Sequence, residues 1–425
     1  MHPVTSDAAG LLQGLLAPGG RAERCLHVAV VPPRDARTAD WPGWVHPDVR
    51  AALEARGMSR PWLHQRDAAA LAHGGQHVVV ATGTASGKSA AYWLPALTAV
   101  AEGAAAPTGR GATALYLSPT KALAQDQLRA LDALAVPGVR AATYDGDTPA
   151  DERAWVRAHG SYVLTNPDML HRALLPGHPA WSSFLRALTY VVVDECHVYR
   201  GVFGSHLAAV LRRLRRVARL YGADPVFVLA TATIGDPAGS ASRLVGSPVV
   251  AVTDDGSPGG GLRVALWEPP LTDRTGERGA PVRRTATAET ADLLTDLVVA
   301  GARTLAFVRS RRGAEAVAAT TRDRLDEVAP ALADRVAAYR AGFLAEERRA
   351  LEQGLREGDL LAVATTSALE LGIDVHGLDA VLVAGWPGRA ASWWQQVGRA
   401  GRAGQEALAV LVARDDPLAT YLVHH

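Results

Sequence analysis

The sequence is poor in cysteine: Cys25 and Cys196 are the only two in 425 residues, and no CxxC pair is present. That scarcity excludes a disulfide framework, lends no support to a structural zinc site, and predicts a protein of a reducing cytoplasm. No apolar run is long enough to span a bilayer, and the N-terminal stretch MHPVTSDAAGLLQGLLAPGG has no basic region ahead of its short apolar segment. Neither a membrane partner nor a secretory signal is expected. An excess of one charge is missing as well, since Lys plus Arg number 44 against 43 Asp plus Glu. No global positive field therefore marks a polyanionic partner, and a surface for one has to be a local groove. The remaining composition is that of an ordinary globular chain, too long for one domain, so at least one internal boundary is required.

From Trp62 to Thr233 short apolar runs (HVVVAT, ATALYLS, VRAATY, SYVLT, LTYVVVD, PVFVLA) alternate with segments of helical period. This is the pattern of a mainly parallel sheet with helices on both faces. A second series starts near Ala288 with TLAFV, RVAAY, LLAVAT, DAVLVAG and ALAVLVA, and the intervening DDGSPGGG and WEPPLTDRTGERGAP are rich in Gly, Pro and Asp. The expected organisation is a lead-in over 1–56, an α/β domain over 57–238, linker and edge strands over 239–287, and a second α/β domain over 288–425.

The segment ATGTASGKS, Ala81 to Ser89, follows an apolar strand and opens a helix, the context in which a glycine-rich loop cradles phosphates. Its small residues Thr82, Gly83, Thr84, Ala85, Ser86 and Gly87 let backbone N–H groups turn inward. Lys88 offers a point charge to the β and γ oxygens, and the Ser89 hydroxyl is a ligand for Mg²⁺. Thr82 stands where the usual pattern has its first glycine. Further on, LTYVVVDECH runs down a buried strand into Asp194 and Glu195. Asp194 is expected to hold Mg²⁺ through water, and Glu195 to orient and deprotonate an attacking water. ATP and Mg²⁺ are thus the expected ligands. Cys196 reads as a small buried filler.

The other short motifs fall in a familiar order: PWLHQ with Gln65, SPTKALAQDQ from Ser118, TNPDML from Thr165, TAT at Thr231 to Thr233, FVRSR from Phe307, TTSALELGID ending at Asp374, and QQVGRAGR ending at Arg402. Across Arg60 to Arg402 the chain resembles the superfamily 2 helicases of the DEAD/DEAH-box (DExH) type. The wording of ATGTASGKS, DECHVYRGVFGSH, SALELGIDV and WPGRAASWWQQVGRAGRAGQ resembles the RecQ-four-related repair helicases, which include the bacterial mitomycin repair factor. The resemblance implies two tandem RecA-like P-loop domains that share an ATP site, binding to single-stranded or forked DNA, ATP-driven movement in the 3′ to 5′ direction, and work in DNA repair. It also implies that Asp374 and Gln395 lie on the nucleotide, and that TAT and SALELGID relay its state to the strand.

The residues themselves suit these tasks. The Gln65 amide both donates and accepts, as an adenine edge requires. Arg399 and Arg402, three apart on an expected helix, are forked cations suited to a γ-phosphate. Ser118, Thr120, Lys121, Thr165, Arg309 and Thr366 follow strands and are placed to reach strand phosphates. The basic run LRRLRRVARLYG reads as an amphipathic helix with a solvated Arg face, and Trp393 and Trp394 as packing beneath the arginines. Two departures stand out. Gln396 occupies a place where the family often has Arg. The family also continues into a long C-terminal region with a cysteine-rich zinc module, whereas this sequence ends YLVHH, so a shortened motor without assured unwinding is expected.

Overall fold

The computed structural model describes residues 7–104, 111–276, 279, 281–340, 342–343, 345–370, 378–401 and 405–425. The chain divides into two compact units, one of Ala36–Ser257 and one that joins the residues up to Asp35 with Pro258–His425.

In the Ala36–Ser257 unit, seven strands lie in the order Ala141–Thr143, Tyr162–Thr165, Thr113–Leu117, Leu188–Val193, Val226–Thr231, Val78–Ala81 and Val250–Val252, every neighbouring pair parallel. These strands are short apolar runs with no polar alternation, because helices cover both faces of the sheet. Val78 and Val80 point into one core with Ala230, while Val79 points into the other with Leu229. All strand C-termini share one edge. The segments that carry DECH, TAT and the phosphate loop therefore leave three consecutive strands on the same side of the sheet. The basic run forms the second half of the helix Gly201–Leu220 and the turn after it; the helix buries Leu207, Leu211, Leu214 and Ala218 and exposes Arg212, Arg216 and Arg219, while Arg215 is half-buried and donates to Val245 O and Gly246 O.

The second unit has a seven-stranded sheet in the order Cys25–Val31, Leu262–Trp267, Ala407–Val412, Ala380–Ala384, Thr304–Phe307, Ala362–Thr365 and Val336–Tyr339. Only the first pair is antiparallel. The expected lead-in and linker thus distribute between the units. The helix Pro237–Val245 packs on the first sheet and Val250–Val252 is its edge strand, while Leu262–Trp267 is an interior strand of the second, next to the N-terminal strand. The reason is apolar content. Leu11, Leu12 and Leu15 of the helix Ala8–Leu16 enter the same core as Leu293, Leu294 and Leu297, and composition along the chain does not reveal which core a segment joins.

A buried carboxylate fastens this N-terminal segment. Glu289 is fully shielded and accepts from Arg24 at 2.9 Å, from the Trp267 indole at 2.9 Å and from Arg284 at 2.8 Å. Removing one member of such a set strands the others. Glu289→Ala is expected to destabilise this unit by about 3 kcal/mol, read as a lower urea midpoint. A midpoint equal to the parent's would show that Arg24 and Arg284 do not depend on it.

Candidate functional site

The phosphate loop is built by its own backbone. Ala85 and Gly87 adopt φ of 58° and 63°, which curls the chain between the strand Val78–Ala81 and the helix Ser89–Ala104. At Gly87 a Cβ would stand 2.6 Å from Gln65 Nε2 and 2.8 Å from the Trp62 ring, so only glycine fits. Thr82, the departure from the usual pattern, earns its place: its hydroxyl shares a 2.6 Å hydrogen bond with Ser86 Oγ across the loop, and Ser86 Oγ donates to Gly83 O at 2.8 Å. Lys88 Nζ donates to Gly83 O at 2.6 Å and Thr82 O at 3.3 Å. Withdrawal from solvent lowers the Lys88 pKa, and the carboxylates of Glu195, Asp194 and Asp255 oppose that shift. Thr84 is half-buried in the same turn.

Gln65 is buried, with both ends of its amide engaged: Nε2 donates to Gly87 O at 2.9 Å and Oε1 accepts from Trp62 N at 2.8 Å. Two residues absent from the sequence reading sit beside it. His64 and Asp255 touch the loop at Ser86 O and Gly83 N, at 2.9 and 3.1 Å. His64 had a signal, its place next to Gln65 in PWLHQ. Asp255 had none, being remote in sequence.

Asp194 is buried at the end of the strand Leu188–Val193. Its Oδ2 accepts from the Tyr116 hydroxyl at 2.5 Å and the Tyr92 hydroxyl at 3.3 Å, and its Oδ1 accepts from Glu195 N at 2.8 Å. Burial, then the charge of Glu195, pushes its pKa up to about 6, while the Tyr116 hydrogen bond and Lys88 pull it back. The Tyr92 hydroxyl also lies 3.0 Å from Ser89 Oγ, so one phenol touches both expected Mg²⁺ ligands. A hydroxyl and a carboxylate held this close fit a hard cation that keeps most of its water shell. Glu195 has a left-handed backbone, φ 47°, and its carboxylate lies 3.2 Å from His197 Nδ1; the N–H of the TAT residue Ala232 lies 3.5 Å from the same ring nitrogen. Burial drives the Cys196 thiol up to about 12, which fits its reading as filler.

The strand-end residues divide. Ser118 and Thr165 are buried, and their hydroxyls donate to Thr120 O at 2.7 Å and Tyr144 O at 2.6 Å. Thr120 is exposed and caps the helix Lys121–Leu134, accepting from Leu123 N. The Lys121 ammonium is also exposed, 2.7 Å from Asp147. In the second unit Arg309 is exposed beside Ser310, which caps the helix Arg311–Val328, and Thr366 is half-buried, its hydroxyl accepting from Ala368 N.

The arginine expectation needs one correction. The helix Ala390–Val397 ends before Arg399, because Gly398 caps it and the chain turns away. Arg399 is buried and donates to Glu370 O, while Gln396 donates to the Glu370 carboxylate. Gln396 therefore has work of its own, joining its helix to the segment that follows Thr366. Burial raises the Glu370 carboxyl, and Gln396 and Arg399 resist this. Gln395 is buried, as is Trp393 against Trp386, whereas Trp394 is 43% exposed and not part of that core. Asp374 and Arg402 lie outside the described residues.

Residues 62–239 match the DEAD/DEAH box helicase family and residues 289–404 match the helicase conserved C-terminal domain. The chain belongs to the DEAD/DEAH box helicases of superfamily 2, with two mainly parallel RecA-like sheets. It is similar to the uncharacterized ATP-dependent helicase YprA of Bacillus subtilis, 42% identical over 399 residues, which covers 93% of this chain and 52% of that protein. It is also similar to the ATP-dependent helicase HRQ1 of Saccharomyces cerevisiae, 37% identical over 413 residues, covering 95% of this chain and 37% of the relative. Among solved structures, the DUF1998 helicase MrfA bound to DNA and AMPPNP superposes with a TM-score of 0.89 at 39% identity, over 99% of this chain and 57% of that one. The chain thus spans only about half the length of these relatives, or less. No helix among the described residues is long and apolar enough to cross a membrane.

Proposed function

We propose that this chain is the motor of an ATP-dependent DNA helicase or translocase that moves 3′ to 5′ along single-stranded DNA and serves DNA repair. The observation that carries this reading is the meeting of Lys88, Ser89, Asp194 and Glu195 at one sheet edge, in a family whose member MrfA is bound to DNA and AMPPNP in its crystal structure. In this reading the loop amides and Lys88 gather the ATP phosphates, and Gln65, Asp374 and Gln395 border the nucleotide. Ser89 and Asp194 hold Mg²⁺, which supplies charge neutralisation to the phosphates. Glu195 accepts the proton of the attacking water, and Arg399 and Arg402 meet the charge that spreads on the γ-phosphate. Thr120, Lys121, Arg309 and Thr366 contact strand phosphates, with Ser118 bracing the turn from which the first two project and Thr165 bracing the neighbouring segment at Tyr144.

The hydroxyl of Tyr116 orients Asp194, so Tyr116→Phe is expected to raise the Mg²⁺ concentration for half-maximal turnover by about tenfold or more. A Mg²⁺ titration that matches the parent's would remove Tyr116 from the site.

The function is tested on a forked DNA, a blunt triplex and an RNA fork. Helicase action predicts separation of the DNA fork; displacement of the triplex strand alone would leave a translocase; activity confined to RNA would overturn the DNA assignment. Phosphate contacts further predict a log–log salt slope of about −0.7 per contacted phosphate for single-strand binding.

A further inference from the structure

The inference rests on the nucleotide-driven reading above and concerns how the phosphate loop is tied to the places where the chain passes between its units. Those passages lie at Asp35–Ala36 and Ser257–Pro258. The residues flanking them are paired within each unit. Arg34 and Gly259 exchange both backbone hydrogen bonds at 2.9 Å, and Arg37 N donates to Gly256 O at 2.8 Å. The Arg37 guanidinium also grips the Asp254 carboxylate and donates to Asp255 O at 3.1 Å. Within the Ala36–Ser257 unit the two tethers are thereby held together as a paired ribbon, which passes on a displacement that a slack loop would absorb.

The ribbon is fastened to the phosphate loop twice. Asp255 Oδ2 accepts from Gly83 N at 3.1 Å, while its Oδ1 accepts from Ser257 N at 2.9 Å and from Ser257 Oγ at 2.7 Å. Gly256 N donates to His64 Nδ1 at 3.1 Å, so the ring proton sits on Nε2 and is donated to Ser86 O at 2.9 Å. The His64 side chain is fully shielded and that of Asp255 nearly so, and their Nδ1 and Oδ1 atoms lie 3.7 Å apart. The packing has no slack: a Cβ on Gly256 would stand 2.9 Å from Arg37 O and 3.1 Å from Leu63 N.

We propose that Asp255 and His64 are positioning residues that couple the phosphate loop to the paired passages between the units. Asp255 is an anion resting on a backbone N–H of an anion-binding loop. A phosphate gathered by that loop competes with it for the Gly83 N–H and repels it across a poorly solvated gap. It also accepts from Ser257, at the passage itself, so a shift of the carboxylate shifts the ribbon. His64 carries the position of Ser86 to Gly256 in the same way. Neither residue takes part in the bond cleavage assigned above.

The test is hydrogen exchange on the whole chain, with and without AMPPNP and Mg²⁺, beside a separate measurement of AMPPNP affinity. In the parent, nucleotide is expected to change exchange over 34–37 and 254–259. Asp255→Asn leaves one acceptor oxygen that cannot serve both Gly83 and Ser257, and it removes the like charge. It is expected to bind AMPPNP as tightly as the parent or more so, while the exchange response over 254–259 falls to less than about a fifth. His64→Phe, which keeps a buried ring but neither hydrogen bond, is expected to lose the response with affinity within about threefold. Variants that keep the parent's response would overturn the proposal. So would a response and an affinity that fall together, the mark of a mere prop for the loop. A parent that binds and hydrolyses ATP without any change over 254–259 would overturn the coupling alone, whereas a parent that binds no nucleotide would overturn the helicase reading as well.

Discussion

Glu195→Gln is expected to bind ATP and Mg²⁺ like the parent and to turn over about 10² to 10⁴ times more slowly, the range a positioned general base contributes. The substitution keeps the size of the side chain and the backbone N–H that donates to Asp194 Oδ1 at 2.8 Å. What it removes is the oxygen that accepts the proton. Because Asp194 keeps its two phenol partners, cation binding is spared. Isothermal titration with AMPPNP beside steady-state hydrolysis separates the two effects, and turnover at the parent's rate would place the base on another residue.

Arg402→Ala is expected to lower turnover by about 10³-fold or more, with nucleotide affinity changed only modestly, because a cation that meets charge developing on the γ-phosphate stabilises the transition state more than the ground state. The adenine and phosphates are assigned to Gln65, the loop amides and Lys88, all in Ala36–Ser257, so binding does not require the arginine. Lys88→Ala is expected to damage binding and turnover together, and the contrast between the two variants separates holding the nucleotide from cleaving it. Hydrolysis by Arg402→Ala within a few-fold of the parent would show that the second unit does not complete the chemistry.

The parts of the fold that rest on local pattern were legible in the sequence. Fully buried parallel strands read as unbroken apolar runs, and the phosphate loop announces itself because its backbone geometry demands small residues at fixed places. What escaped depends on partners distant in the chain. Tyr92 and Tyr116 look like ordinary core aromatics until the strand order brings their hydroxyls to Asp194. Asp255 lies in a Gly- and Asp-rich stretch that reads as linker, yet its carboxylate rests on Gly83 N.

Residues at strand ends were legible in position and not in exposure. A hydroxyl that follows a strand can face outward, as at Thr120, or spend itself on a carbonyl inside, as at Ser118 and Thr165. Both have the same sequence environment. The extent of the helix ahead of Arg399 was misjudged for a similar reason: GRAGR continues the helical spacing of the arginines, but Gly398 closes the helix and Glu370 draws Arg399 back. The N-terminal strand joins the second sheet because Leu262–Trp267 offers it an open edge, which no feature of residues 25–31 announces.

The most direct test of the account is ATP hydrolysis by the purified chain, measured while single-stranded DNA is titrated from none to saturation. The account predicts a low basal rate that rises strongly and saturably with the strand, as expected of a motor whose turnover is coupled to strand binding. A rate indifferent to single-stranded DNA, duplex DNA and RNA alike would contradict it.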